Sequence, residues 1–127
     1  AIGADLAYMG TRFINTSESQ AEEAYRSMII EAVSGDIIHT PAVSGIPASF
    51  MRQSLEAAGF PMDELNQAGE INYGEKLKPI DDEAKAWKTV WSAGQGVSQI
   101  HDVLSVAELV KRLTEEYRSA RARFAEL

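Results

Sequence analysis

The sequence predicts an α/β chain that is mainly α-helical, and three observations carry that expectation. The short apolar run Asp5-Leu6-Ala7-Tyr8-Met9 ends at Gly10, the pattern of a strand buried on both faces, as in a parallel sheet. Two Ser-x-x-Glu stretches, Ser19 to Glu22 and Ser105 to Glu108, stand before apolar residues at helical spacing. Between them Gly and Pro break the chain into short segments, and no second strand as strong as the first is visible.

Taken in order, residues 5–9 are the strand, and a helix follows from the first Ser-x-x-Glu stretch. Ala21, Ala24, Tyr25, Met28 and Ala32 share one face of it, and Gly35 closes it. Asp36-Ile37-Ile38-His39-Thr40 reads as a short strand stopped by Pro41. Ser44-Gly45-Ile46-Pro47 reads as a turn, with Pro47 at the first position of a helix running from Ala48 to Ala58 and ending at Gly59. From Phe60 to Pro79 no period holds, so this is read as an irregular surface excursion with one helical turn at 62–67. Asp81-Asp82-Glu83 suits the start of another helix, which carries Trp87 and Trp91 on one face. Ser92 to Val97 interrupts it. The last helix opens at Ser105 and buries a stripe of Val106, Leu109, Val110, Leu113, Tyr117, Ala120 and Phe124, with Glu108 and Arg112 as an exposed pair. A parallel-type strand needs neighbours on both sides, so residues 1–14 look like the closing part of a sheet whose other strands are missing.

The chain has 127 residues, the size of one domain, with a net charge of −7. That balance argues against a general nucleic-acid or membrane-surface binder, since both need a positive footprint. There is no cysteine, which removes disulfides, thiolate metal sites and cysteine nucleophiles. No apolar run approaches the roughly 20 residues that cross a bilayer, and no secretory leader is evident, so the expected location is the cytoplasm. His39 and His101 are too far apart for a metal-ligand spacing, and a structural or surface role suits both.

Met9-Gly10-Thr11-Arg12 carries the chemistry. At the carboxyl end of a strand the amides point out of the sheet. A glycine lets a ligand approach, a threonine adds a hydroxyl and an arginine adds charge. That is a phosphate-binding arrangement of the kind found after the last strands of a (β/α)8 barrel. The alternative is a tight turn at Gly10 beside a solvated Arg12. In Ala93-Gly94-Gln95-Gly96 a glutamine between glycines either meets the polar edge of a ring or sits in a flexible linker. The two tryptophans are read as core.

Three ordered stretches resemble the nitronate monooxygenase family, formerly 2-nitropropane dioxygenase, which also includes enoyl-ACP reductase II and NADH:quinone reductases. They are Ala1-Ile2-Gly3-Ala4-Asp5 with Met9-Gly10-Thr11-Arg12-Phe13 and Glu18-Ser19; Ser44-Gly45-Ile46-Pro47-Ala48; and Trp91 to Val97 followed by the helix at Val106 to Tyr117. The resemblance implies the C-terminal part of an FMN-binding TIM (β/α)8 barrel. Residues 1–34 would be the last barrel strand and its helix, and residues 35–127 a helical segment covering the barrel mouth. It implies an FMN-dependent flavoprotein oxidising alkyl nitronates with dioxygen, with NADH- or quinone-linked members and a non-catalytic fragment or interaction module as alternatives. Met9, Gly10, Thr11 and Arg12 would hold the FMN phosphate, Arg12 more weakly, and Gly94, Gln95 and Gly96 would approach the ring. The family's catalytic histidine lies upstream, so this chain is assigned no catalytic residue and no metal. As a fragment, it is expected to associate with itself or with the missing barrel portion, because each buried amide left unpaired costs about 1–3 kcal/mol.

Overall fold

A β-hairpin organises the middle of the chain in the computed structural model, which describes residues 5–43, 45–62, 65 and 90–126. β1, Ile37–Thr40, pairs antiparallel with β2, Ala48–Met51, in the register Ile37↔Met51 through Thr40↔Ala48. The loop closes on the Gly45 amide, which donates to the Pro41 carbonyl at 2.6 Å, with Gly45 at φ +74°. Side chains alternate across a strand, so each face of the hairpin carries its own core. Ile37 and Met51 join Ile29, Ala32, Ala93, Val97 and Ile100 on one side. Phe50 joins Val43, Leu55, Leu65 and Val90 on the other. Residues 90–92 run beside β2, where the Met51 amide donates to the Trp91 carbonyl at 2.9 Å and Phe50 bridges Ser92.

Among the described residues the helices are α1, Thr11–Ile14; α2, Glu23–Glu31; α3, Arg52–Ala57; and α4, Val106–Ala125. α2 brings Ile29, fully buried, onto the first core, and the Tyr25 ring stacks on Trp91 at 5.0 Å. α3 follows β2 directly and stops at Gly59, whose φ of +81° favours a residue without Cβ. Ser54 ties α3 to the third segment: its hydroxyl donates to the Met51 carbonyl and accepts from the Trp91 amide at 3.0 Å. α4 is opened by a complete capping box. The Ser105 hydroxyl accepts from the Glu108 amide at 3.2 Å, and the Glu108 carboxylate accepts from the Ser105 amide at 3.0 Å.

Several expectations are corrected. Residues 5–9 form no strand; Leu6 is 92% exposed and Met9 43% exposed. No described strand lies beside them to pair with their backbone. Thr11 opens α1 instead of lying in a loop. The Ser19 stretch does not cap α2, which begins at Glu23; the Ser19 hydroxyl accepts from the Ala21 amide in a local turn. Ala48 to Met51 are strand, not helix, because β1 supplies a pairing edge that local propensity cannot anticipate. In α4 only Leu109 is buried, while Val106, Val110, Tyr117 and Phe124 are exposed. Arg112 bonds Asp102 in place of the expected Glu108 pair. The helix expected from Asp81, with Trp87, and most of the 60–79 excursion lie outside the described residues.

Replacing Ser105 with Ala removes the cap and should cost about 1 kcal/mol, read as a lower denaturation midpoint and faster amide exchange in the first turn of α4. Phe50→Ala should cost about 3–5 kcal/mol and abolish cooperative unfolding.

Candidate functional site

Two distant segments meet at α1. The Gly94 amide donates to the Thr11 hydroxyl oxygen at 2.8 Å, which sets the 94–96 loop against the first turn of the helix. A Cβ on Gly94 would stand 3.5 Å from that same oxygen, an ordinary contact that still narrows the junction. The third wall is α4. It is held by Asp102, whose carboxylate accepts from Arg12 at 2.6 Å and from Arg112 at 2.8 Å. Arg12 also donates to the Asp102 carbonyl at 3.2 Å. Alongside this clamp, the Ser17 amide donates to the Leu104 carbonyl, and both Glu18 carboxylate oxygens accept from the Val106 amide at 3.0 Å.

The result is a cleft of about 510 Å³. Tyr8, Met9, Gly10, Thr11 and Arg12 form one wall, Gly94, Gly96, Gln99 and Ile100 a second, and Leu109, Arg112, Leu113 and Glu116 of α4 the third. The volume lies in the range of small-molecule and cofactor sites. Six of the seven residues expected at a binding site line it: Met9, Gly10, Thr11, Arg12, Gly94 and Gly96. Gln95 does not. Its backbone carbonyl accepts from the Ser34 hydroxyl at 2.7 Å as the chain enters the 3-10 turn Gln95–Gln99, and its side chain lies outside the cleft.

Both arginines of the cleft are already committed to Asp102. Arg12 is largely buried and spent on Asp102, so it orients the wall instead of presenting a free cation. The Arg112 hydrogen bond, with the charge of both guanidiniums, holds the Asp102 carboxyl below its usual range, and Asp102 in turn raises Arg112. Glu18 is lowered by the Val106 amide and Glu108 by the Ser105 hydroxyl. Gly10 lines the cleft with no chain atom within 4 Å of a Cβ built on it, and the amides of Thr11 and Arg12 precede the first intrahelical bond of α1. His39 bonds Ser49 across the hairpin at 3.2 Å, and neither it nor His101 lines the cleft.

The resemblance places the segment that contains α4 over the barrel mouth, whereas the sequence pattern reads Leu109 and Leu113 as a core stripe and Arg112 as a surface pair, so the individual wall residues emerge only from the structure. The available signal was the family-like pattern of that helix, which sits next to the Gly94 loop in the sequence.

The family model for nitronate monooxygenase matches residues 1–116. The chain belongs to the nitronate monooxygenase family. Members of that family are flavin-dependent oxidoreductases. A mutant of FabK from Thermotoga maritima is similar in fold, with a TM-score of 0.58 at 20% identity; the likeness covers 92% of this chain and 35% of that one. No curated protein matches the chain. No described helix is long and apolar enough to cross a membrane.

Asp102→Ala would leave the largely buried Arg12 guanidinium without its carboxylate, holding only backbone carbonyls, and should lower stability by about 2 kcal/mol, measured by denaturant unfolding. The folded Asp102 carboxyl titrates below its unfolded value. Its contribution is therefore present above about pH 4 and lost as pH falls through the lowered folded value. The thermal midpoint of Asp102→Asn should consequently fall less steeply on acidification below that pH than that of the parent chain.

Proposed function

We propose that this chain is the C-terminal part of an FMN-dependent (β/α)8-barrel enzyme that oxidises alkyl nitronates with dioxygen, and that it supplies one wall of the flavin site. The observation that carries the reading is the meeting of Met9, Gly10 and Thr11 with Gly94 and Gly96 in one cleft, across more than 80 residues of sequence. Membership of a flavin-dependent family supports FMN as the group that fits there.

The residues present fit such a group. The bare Gly10 leaves space that a side chain would fill, and the first-turn amides of Thr11 and Arg12, which lack intrahelical partners, supply donors beside it. Helix α1 is a single turn, so hydrogen bonds and shape, not a helix dipole, must do the holding. The Thr11 hydroxyl uses its oxygen on Gly94 and keeps its own proton to donate. Met9, Ile100 and Leu113 offer an apolar surface suited to a flat ring. Arg12 serves through Asp102, keeping α1 and α4 in register, and is no longer assigned to the phosphate. The chemistry that a bound flavin supplies is two-electron transfer from the nitronate to dioxygen; the protein's part is to place and polarise it.

Titration of the purified chain with FMN should perturb flavin absorbance and fluorescence. Gly10→Val should weaken that binding about tenfold or more while leaving the far-ultraviolet dichroism unchanged, because the new side chain meets the cleft and not the protein. No spectral change with the parent chain, or equal binding by the variant, overturns the reading. Anaerobic bleaching of the bound flavin by NADH, without turnover of nitronates, would replace nitronate oxidation with the reductase alternative.

A further inference from the structure

Helix α4 displays an apolar seam that no described element fully covers, with Leu113 within it half-buried at the border of the cleft. Val106, Val110, Leu113, Tyr117, Ala120 and Phe124 are spaced by alternating steps of four and three. That is the 3.5-residue repeat of a coiled coil, not the broader stripe of a helix lying on a globular core. The exposures agree: Val110 is 49%, Tyr117 67% and Phe124 58% exposed, whereas Leu109, at the edge of the seam, is fully buried against the body. The helix thus docks by one edge and presents the seam beside it. Tyr117, Ala120 and Phe124 lie beyond residue 116, where the match to the family model stops, so half of the seam falls outside the stretch the family accounts for.

We propose that this seam pairs with the same helix of a second copy as a parallel two-stranded coiled coil. Val110, Tyr117 and Phe124 take the a positions, and Val106, Leu113 and Ala120 the d positions, with β-branched Val110 at a beside Leu113 at d as two-stranded coils favour. The flanking charges choose the occupant and its direction. In a parallel pair the g residue of one helix faces the following e residue of the other, which sets Glu116 opposite Arg121 twice by symmetry. The centred antiparallel alignment sets Glu116 against its own copy. A self-complementary surface of this kind closes with two-fold symmetry.

Sedimentation equilibrium of the 127-residue chain tests the pairing. A monomer–dimer equilibrium is expected. Tyr117→Glu, at an exposed position, should weaken it about tenfold or more with helicity in the monomer retained. Glu116→Arg should weaken it, and adding Arg121→Glu should restore it. Because the chain has no cysteine, Ala120→Cys gives a clean test of direction: parallel helices bring the two thiols together, and oxidation should yield a covalent dimer. A chain that stays monomeric at about millimolar concentration, a dimer indifferent to Tyr117→Glu and to the charge reversals, or an Ala120→Cys dimer that does not cross-link overturns the proposal.

Discussion

One carboxylate holds the two ends of this chain together. Asp102 bonds Arg12 from α1 and Arg112 from α4, so three elements separated by up to 100 residues share a single ionic junction. Both guanidiniums are fixed in direction by it, and Arg12 is additionally bound to carbonyls of Asn15 and Asp102. Exposed ion pairs contribute little to stability because water screens them. This one differs in that Arg12 is largely shielded and one acid serves two partners, so breaking it would strand a charge.

The cleft follows from that junction. α4 reaches the wall built by residues 8–12 because Asp102 and Glu18 pin its first turns, Glu18 by accepting from the Val106 amide. The 94–96 loop reaches the same place through the Thr11 hydroxyl. The two arginines of the cleft are therefore structural, and what it offers a ligand is mostly bare backbone, the Thr11 and Tyr8 hydroxyls, the Gln99 amide and apolar surface, with Glu116 on the α4 wall. That inventory suits a cofactor held by main-chain donors and a flat apolar face better than it suits a substrate captured by charge.

The hairpin explains how a chain with little sheet still has a defined core. β1 and β2 send Ile37 and Met51 to one side and Phe50 to the other, and the backbone at 90–92 extends the pairing beyond β2. Trp91 sits at the crossing point, its backbone bonded to Met51 and Ser54 and its ring against Tyr25. Burial lifts the Tyr25 hydroxyl above its ordinary range even though it donates to the Ser92 carbonyl. The N-terminal run at 5–9 takes no part in this core, and its large side chains face solvent.

The sequence by itself determined the features that local chemistry specifies. The capping box at Ser105, the stop at Gly59 and most of the strand expected from Asp36 to Thr40 depend only on near neighbours along the chain, and these appear in the structure. The tertiary structure alone decided which partner each segment met. Ala48 to Met51 became strand because β1 offered an edge; Asp5 to Met9 did not, and no described strand stands beside it. Arg112 chose Asp102 over Glu108, and Gln95 turned from the cleft while Gly94 and Gly96 stayed on it. The physical reason is the same throughout: helix caps and turns close within a few residues, whereas strand pairing, shared ion pairs and cleft walls depend on contacts between distant segments, which no local period encodes.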